Sequence, residues 1–211
     1  MKVTKYPQSC LLIEKDQKRL LIDPGSLVSS RFSAKDLLPI DGILVTHEHS
    51  DHADPKLIRS LLAEKQVPVI GNASTAKALN GLVTKVISDR EEITIDSYYV
   101  KAIELPHCLM VDGSPGPQNT GYVIDGTFFD PGDGITMEQP LKVSAAAVPF
   151  AGPDISPKDV YKFIKQIGCT KVIPIHYDYF PTDPKFYVGL LKSYIKSIDV
   201  IVLNNGESAE V

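Results

Sequence analysis

Between an apolar run at residues 42–46 and a proline-led helix start at Asp54-Pro55, the chain reads His47-Glu48-His49-Ser50-Asp51-His52-Ala53. A short, wholly apolar run of this kind predicts a strand buried on both faces. Asp54 followed by Pro55 is a helix N-cap with proline at the first helical position, and Leu57, Ile58, Leu61 and Leu62 continue at helical spacing. A strand, a turn and a helix therefore deliver three imidazoles and a carboxylate into one small space. In extended chain, side chains at i and i+2 share a face, so His47 and His49 stand side by side as the strand ends, and Asp51 and His52 come from the turn. Crowded protonated imidazoles repel each other, and buried unpaired ones lose their hydration, so stability alone does not favour such a cluster. A divalent cation removes both problems. Imidazole nitrogen and carboxylate oxygen suit Zn²⁺, Mn²⁺, Fe²⁺ or Ni²⁺, and no thiolate in the cluster singles out zinc.

The remaining elements alternate. Residues 9–14 and 19–23 are apolar runs separated by Lys15-Asp16-Gln17-Lys18, a hairpin pattern. Residues 67–70 return to strand, and 73–80 form a short helix closed by Gly81. Strands follow at 91–95 and 98–105, then a long loop at 106–118 rich in Pro and Gly. Residues 120–124 and 127–129 make a hairpin about Asp125-Gly126. After them come a strand at 143–148, a helix at 157–167, a strand at 171–175, a helix at 184–197 and a strand at 200–203. All five histidines, which add His107 and His176 to the first three, lie at strand ends or directly after them. None sits within a helix on an apolar face, where a packing role would be the ordinary explanation.

Composition narrows the partners. The chain has 211 residues, 43% hydrophobic and 23% charged, enough to enclose one α/β core, so residues 1–211 are expected to form a single domain. A formal net charge of −4, with no long basic run, gives no footprint for gripping a polyanion, and nucleic acid is not an expected partner. No stretch approaches the ~20 apolar residues of a membrane span, and the first residues lack the apolar core of a secretory signal. Cys10, Cys108 and Cys169 lie far apart and form no Cys-x-x-Cys, which fits a reducing cytoplasm. A small-molecule substrate is expected, and assembly into a homo-oligomer stays open.

The segment His47-Glu48-His49-Ser50-Asp51-His52 resembles the hallmark His-x-His-x-Asp-His of the metallo-β-lactamase superfamily. The resemblance runs along the chain in the superfamily's order: Leu20-Leu21-Ile22-Asp23, the isolated His107, Gly132-Asp133, and a terminal strand ending in His176. It implies a four-layer αββα sandwich and two divalent transition metal ions, Zn²⁺ first among the candidates. Carried over residue by residue, it implies that His47, His49 and His107 hold one ion, that Asp51, His52 and His176 hold the other, and that Asp133 bridges them. Asp23 would orient a ligand from behind, and Asp130 would be a turn former. More narrowly, residues 119–124 and 172–177 are similar to the branch that contains L-ascorbate-6-phosphate lactonase. One departure stands out, since members of that branch commonly carry Gly-His-Ser where this chain has Pro7-Gln8-Ser9.

Two cations about 3.5–4 Å apart can share a water, lower its pKa toward neutrality and present the resulting hydroxide to a carbonyl or phosphorus. The resemblance thus implies a hydrolase acting on a small ester, lactone, thioester or phosphoester. Asp51 is the superfamily's usual proton carrier, and Tyr177 and Tyr179 are further candidates. Cys108 should point away from its neighbour His107, as a buried thiol. Glu48 and Ser50 should likewise face away from the ligands. Alternatives are a phosphodiesterase or nuclease on the same fold, a flavin-linked diiron protein, and a non-catalytic metal-binding module. Against them stand, in turn, the acidic balance, His49 where the redox proteins carry glutamate, and the complete ligand set.

Overall fold

A computed structural model describes residues 1–179 and 182–211. In chain order the elements are β1 (Lys2–Lys5), β2 (Leu11–Lys15), β3 (Lys18–Ile22), α1 (Ser26–Ser29), α2 (Ala34–Leu37), β4 (Gly42–Leu44), α3 (Pro55–Glu64), β5 (Val69–Gly71), α4 (Ala73–Ala78) and β6 (Lys85–Val86). The second half continues with β7 (Glu92–Ile95), β8 (Tyr98–Pro106), β9 (Gln118–Ile124), β10 (Phe128–Asp130), β11 (Ala145–Pro149), α5 (Pro157–Ile167), β12 (Lys171–Ile175), α6 (Pro184–Leu191), β13 (Asp199–Val200) and β14 (Ser208–Glu210). Among the described residues these strands form two sheets, ordered β14-β1-β2-β3-β4-β5-β6 and β13-β12-β11-β10-β9-β8-β7.

Side-chain alternation explains why the sheets stack face to face with helices outside. Leu11, Ile13, Leu20 and Ile22 point from the first sheet onto Val100 and Ile124 of the second, filling the space between them. Their neighbours Leu12, Leu21, Ile43 and Val69 point outward and are covered by Leu57, Ile58 and Leu61 of α3. On the other side Val123, Phe129 and Val172 meet Val160, Phe163 and Ile164 of α5. Helices α3 and α5 each carry one apolar stripe and start with a cap: Asp54 accepts from Lys56 N at 2.9 Å, and Ser156 pairs reciprocally with Asp159 before α5. The expected αββα sandwich is the observed fold. No helix among the described residues is long and apolar enough to cross a membrane.

Both predicted hairpins form. Asp16 and Gln17 take φ 51° and 63°, as the twist of their two-residue loop demands, and Asp125 and Gly126 take 52° and 63° in the loop that also holds Thr127 between the paired Ile124 and Phe128. Other boundaries moved for identifiable reasons. The last helix stops at Leu191 rather than residue 197, because turns at 192–198 tuck Ile195 into the core under α5 and bring Asp199 to the sheet edge. The final strand shrinks from 200–203 to Asp199–Val200. Asp199 N and Ile201 N bond to Thr170 O and Val172 O, which puts Pro174 next on that side, and proline has no N–H to continue the ladder. Strands β1, β6 and β14 and helices α1 and α2 carried too few apolar residues to stand out. β1 shows the pattern: its only aliphatic residue is Val3, and its buried Lys5 reads as surface.

Tyr98 ties the sheets together. Its ring is fully buried, and its hydroxyl lies 2.6 Å from Lys18 O and 3.0 Å from Ile13 O across the β2–β3 hairpin. Tyr98→Phe leaves two carbonyls without that donor and is expected to lower stability by about 1–2 kcal/mol. In urea denaturation this would appear as a lower midpoint at unchanged slope. An unshifted midpoint would show that the hydroxyl contributes nothing.

Candidate metal centre

The histidine segment begins where β4 runs out, and the backbone there is held from three sides. Tyr122 Oη donates to Val45 O at 2.8 Å, Thr46 N donates to Asp23 Oδ1 at 2.8 Å, and Thr120 N and Asn72 Nδ2 each donate to Thr46 O at 3.0 Å. His47 consequently enters the gap between the sheets with no solvent exposure. His52 N and Ala53 N return to His49 O, closing the turn into α3 and stacking the His52 ring 4.0 Å from that of His47. His107 follows β8 and bridges to Gly134, while Cys108 N donates to Asp133 O at 3.1 Å, so His107 and Asp133 arrive on adjoining chain. Asp133 depends on Gly132 at φ 58°, where a β-carbon would strike Asn119 Oδ1 and Thr46. The same Asn119 Oδ1 accepts from Asp133 N at 3.2 Å. His176 ends β12 at φ 62°, with its N–H donated to Gln8 O at 3.1 Å.

Four rings are oriented by what meets their Nδ1 atoms. That atom lies 3.0 Å from Thr46 Oγ1 in His47, 2.7 Å from Asp23 Oδ2 in His52, 2.6 Å from Cys108 O in His107 and 2.6 Å from Ala151 O in His176. Their Nε2 atoms then converge on one carboxylate. Asp133 Oδ2 lies 3.1 Å from His176 Nε2, 3.3 Å from His107 Nε2 and 3.9 Å from His47 Nε2, and Oδ1 lies 3.2 Å from His52 Nε2. His49 closes the group, its Nδ1 3.2 Å from His47 Nε2. Asp51 Oδ2 lies 3.5 Å from His176 Nε2 and 3.9 Å from His52 Nε2.

Burial and neighbouring charge act against each other here. For His47 burial dominates and His52 adds repulsion, so the ring stays neutral well below the usual histidine range; burial also lowers His49. Burial opposes charge on His52, His107 and His176 as well, but Asp133 outweighs it. His52, which also meets Asp23, is raised well above the usual value, and His107 and His176 are pushed up to about 10. Burial would raise Asp133, but His176 and His52 hold it well below the usual carboxylate range. Asp51 is likewise held low, by His176 and His52 against burial.

The donor set fits metal ions. His47, His49, His107 and Asp133 form one group and Asp51, His52 and His176 another, with the ligand atoms in each within 4.8 Å of one another. Moreover, His52 Nε2, His107 Nε2 and Asp133 Oδ1 are buried and make no hydrogen bond among the described residues, although imidazole and carboxylate stand close. Polar atoms left in that condition, aimed at a common point, suit a bound cation.

The structure thus brings together all seven expected ligands, with Asp23 behind His52. Asp130 forms the expected turn, accepting from Gly132 N at 2.9 Å, outside both groups; burial and the charge of Asp23 push its carboxyl up to about 8. Cys108 is buried, but it does not turn away from His107. The strand ends at Pro106, alternation lapses, and Sγ comes 3.6 Å from His107 Nδ1. Glu48 faces away and accepts from Ser74 Oγ at 2.6 Å. The Tyr177 hydroxyl is committed to Leu203 O at 2.9 Å. Residues whose part the linear pattern does not disclose are Thr46, Asn72 and Asn119, buried polar residues at or near strand ends, and Gln8, buried in the β1–β2 connection. Their signal was a polar side chain interrupting or flanking an apolar run.

Residues 2–176 match the family model for the beta-lactamase superfamily domain. The chain belongs to that superfamily. It is 28% identical to a UPF0173 metal-dependent hydrolase of Alkaliphilus metalliredigens, with 97% of each chain covered. It is 26% identical to another of Flavobacterium johnsoniae, with 100% of each covered. Among solved structures the superfamily fold matches Igni18, a novel metallo hydrolase of Ignicoccus hospitalis, with TM-score 0.75 at 18% identity, covering 99% of this chain and 97% of that one.

Metal uptake should release protons. The raised pKa values of His52, His107 and His176 mean that these rings hold protons near neutrality, and a cation must displace them. Affinity for Zn²⁺ should therefore fall as pH falls below neutrality and rise toward pH 9. Calorimetry at pH 7 in two buffers of different ionisation enthalpy should show about two or more protons released per chain. Buffer-independent heats would contradict the charge states described here.

Proposed function

We propose that the protein is a metal-dependent hydrolase with a two-ion centre, in which His47, His49 and His107 hold one ion, Asp51, His52 and His176 hold the second, and Asp133 lies between them. The observation that carries this is the convergence of four buried imidazoles, His47, His52, His107 and His176, drawn from segments as distant as residues 47 and 176, on the buried carboxylate of Asp133, with His49 and Asp51 beside them. Metal-dependent hydrolases among its relatives support the same function. Zn²⁺ is the leading candidate, with Mn²⁺, Fe²⁺ and Ni²⁺ behind it for an all-nitrogen-and-oxygen ligand set. The pairing of β14 with β1, which joins the two ends of the chain in one sheet, supports residues 1–211 acting as one domain.

When bound, two such ions would lower the pKa of a water to supply the nucleophile and would polarise the carbonyl or phosphoryl oxygen, opening the adjacent carbon or phosphorus to attack. The chain's own residues supply position and proton handling. Thr46 Oγ1, Asp23 and the carbonyls of Cys108 and Ala151 fix the rings of His47, His52, His107 and His176, each presenting Nε2 to the centre. Asp51 is the proton carrier in this proposal. It is part-exposed where the other carboxylates of the site are buried, so it can exchange a proton between solvent and a leaving group. Gly116 lies against the His107 ring, where a β-carbon would collide with it, so the loop at 107–117 borders the centre on that side. The substrate is a small ester, lactone, thioester or phosphoester, and the branch resemblance of residues 119–124 and 172–177 puts lactones first.

Protein purified without chelators should contain about two equivalents of transition metal by elemental analysis and turn over at least one of lactone, thioester or phosphodiester substrates. Asp133→Ala and His47→Ala should each lower metal content and reduce kcat/KM by roughly 10³-fold or more, while Cys108→Ser should stay within a few-fold of wild type. Unchanged metal content and rate in both ligand variants would sink the proposal.

A further inference from the structure

Gln8 is fully buried, has φ 65°, and uses all four of its polar groups within the second ligand group and its support. Its backbone O accepts from His176 N at 3.1 Å, and its backbone N donates to Asp178 Oδ2 at 2.9 Å. Its side-chain Oε1 accepts from Tyr179 N at 3.1 Å, and its Nε2 donates to Asp51 Oδ2 at 2.9 Å. The sense of the amide follows from chemistry. An N–H faces one end, so that end is the oxygen, and the NH₂ is left for the carboxylate. Asp178 is held in turn by Lys5 Nζ at 2.8 Å and Asn205 Nδ2 at 3.0 Å, which anchors Gln8 from behind.

Two non-glycine residues at positive φ, Gln8 and His176, thus face each other through one hydrogen bond. Left-handed backbone at such residues is uncommon and persists where the surroundings enforce it, frequently at functional sites. From one rigid residue, the backbone arm holds the start of the His176 turn, and the side-chain arm fixes the Asp51 oxygen that stands 3.5 Å from His176 Nε2. A carboxylate on a short side chain can otherwise rotate its oxygens away from a ligand position. An amide donor on Oδ2 uses one lone pair and leaves the other for a cation.

We propose that Gln8 is the positioning residue of the second ion, setting the separation of Asp51 and His176 and hence the affinity of the group formed by Asp51, His52 and His176, while the group of His47, His49 and His107 is independent of it. This rests on the two-ion proposal above. Neutral Gln8 is suited to the task because it holds the carboxylate without competing with the cation for it or adding charge of its own.

The test is stepwise titration of metal-free protein with Zn²⁺ against a competing chelator, and with Co²⁺ followed by its visible absorption. Wild type should take up two equivalents. Gln8→Leu should bind the first with unchanged affinity and the second about 10–100-fold more weakly, the range typical for loss of a group that orients a ligand. The Co²⁺ spectrum of the second equivalent should change while that of the first does not. Gln8→Asn guards against misfolding. Asparagine is more at home at positive φ, keeps an amide, and is one methylene too short to span Asp51 and Tyr179 N, so it should show the same selective loss. Wild-type affinity for the second equivalent in either folded variant, or equal weakening of both equivalents, would overturn the role of Gln8 alone. Uptake of a single equivalent by wild type would overturn the two-ion proposal and this inference with it.

Discussion

A carboxylate removed from water among imidazoles is the condition to which the rest of the molecule is fitted. Asp133 is 3% exposed, and an isolated buried carboxylate costs several kcal/mol even after its surroundings relax. The nearby backbone does not offset this: Asp133 N is given to Asn119, and Oδ1 makes no hydrogen bond among the described residues. Compensation has to come from positive charge at the imidazole faces, carried by protons on His52, His107 and His176 or by cations held between rings and carboxylate. Both require the ends of β4, β8 and β12 to meet at one point. The two sheets are therefore fixed relative to each other by the site as well as by the apolar layer between them.

Chain topology explains why these ends are available. β3 to β6 run parallel in one sheet, and β10 to β13 run parallel in the other. Side chains just past their carboxyl ends lie along one rim of the sandwich, the general location of sites in open α/β sheets. Turning the chain sharply at that rim has a cost that appears as left-handed backbone at Asp23 (φ 49°), Gln8 and His176. Each is restrained by side-chain and backbone hydrogen bonds: Asp23 by Thr46 and His52, Gln8 and His176 by each other. Strain and function coincide because a tight turn is what points a short side chain back over the strand that carried it.

Much of this was legible in the linear chain, and the exceptions share a cause. The strand at 42–46, the capped helix after Asp54 and the turns at Asp16-Gln17 and Asp125-Gly126 are specified by local chemistry, which survives folding. The seven side chains that meet were recognisable because chemistry-bearing residues fell at strand ends in a known order. Gln8, Asn72 and Asn119 were opaque, since an amide reads as surface until its donors and acceptors are located. β1 was missed because its lysine is buried against Asp178, 173 residues away in sequence. Cys108 is buried as expected, but its direction relative to His107 differs for the opposite reason: strand alternation, a local rule, does not extend past the end of the strand at Pro106.

The two ligand groups are not equivalent in charge. The first has three imidazoles backed by a hydroxyl and a backbone carbonyl, and its only carboxylate is the shared Asp133. The second has Asp51 as its own carboxylate, and Asp23 sits directly behind His52 at 2.7 Å. A carboxylate behind an imidazole raises its basicity and fixes its tautomer, so His52 is the strongest donor of the set. More negative charge also means that an empty second group relies more on imidazolium protons for balance. In the proposed two-ion centre the second position therefore requires the larger proton displacement, which lowers its apparent affinity near neutrality and makes it the second to fill. Its geometry, with Asp51 part-exposed, depends on the neutral Gln8 clamp, where the first group is held by Thr46 Oγ1 behind His47 and Cys108 O behind His107.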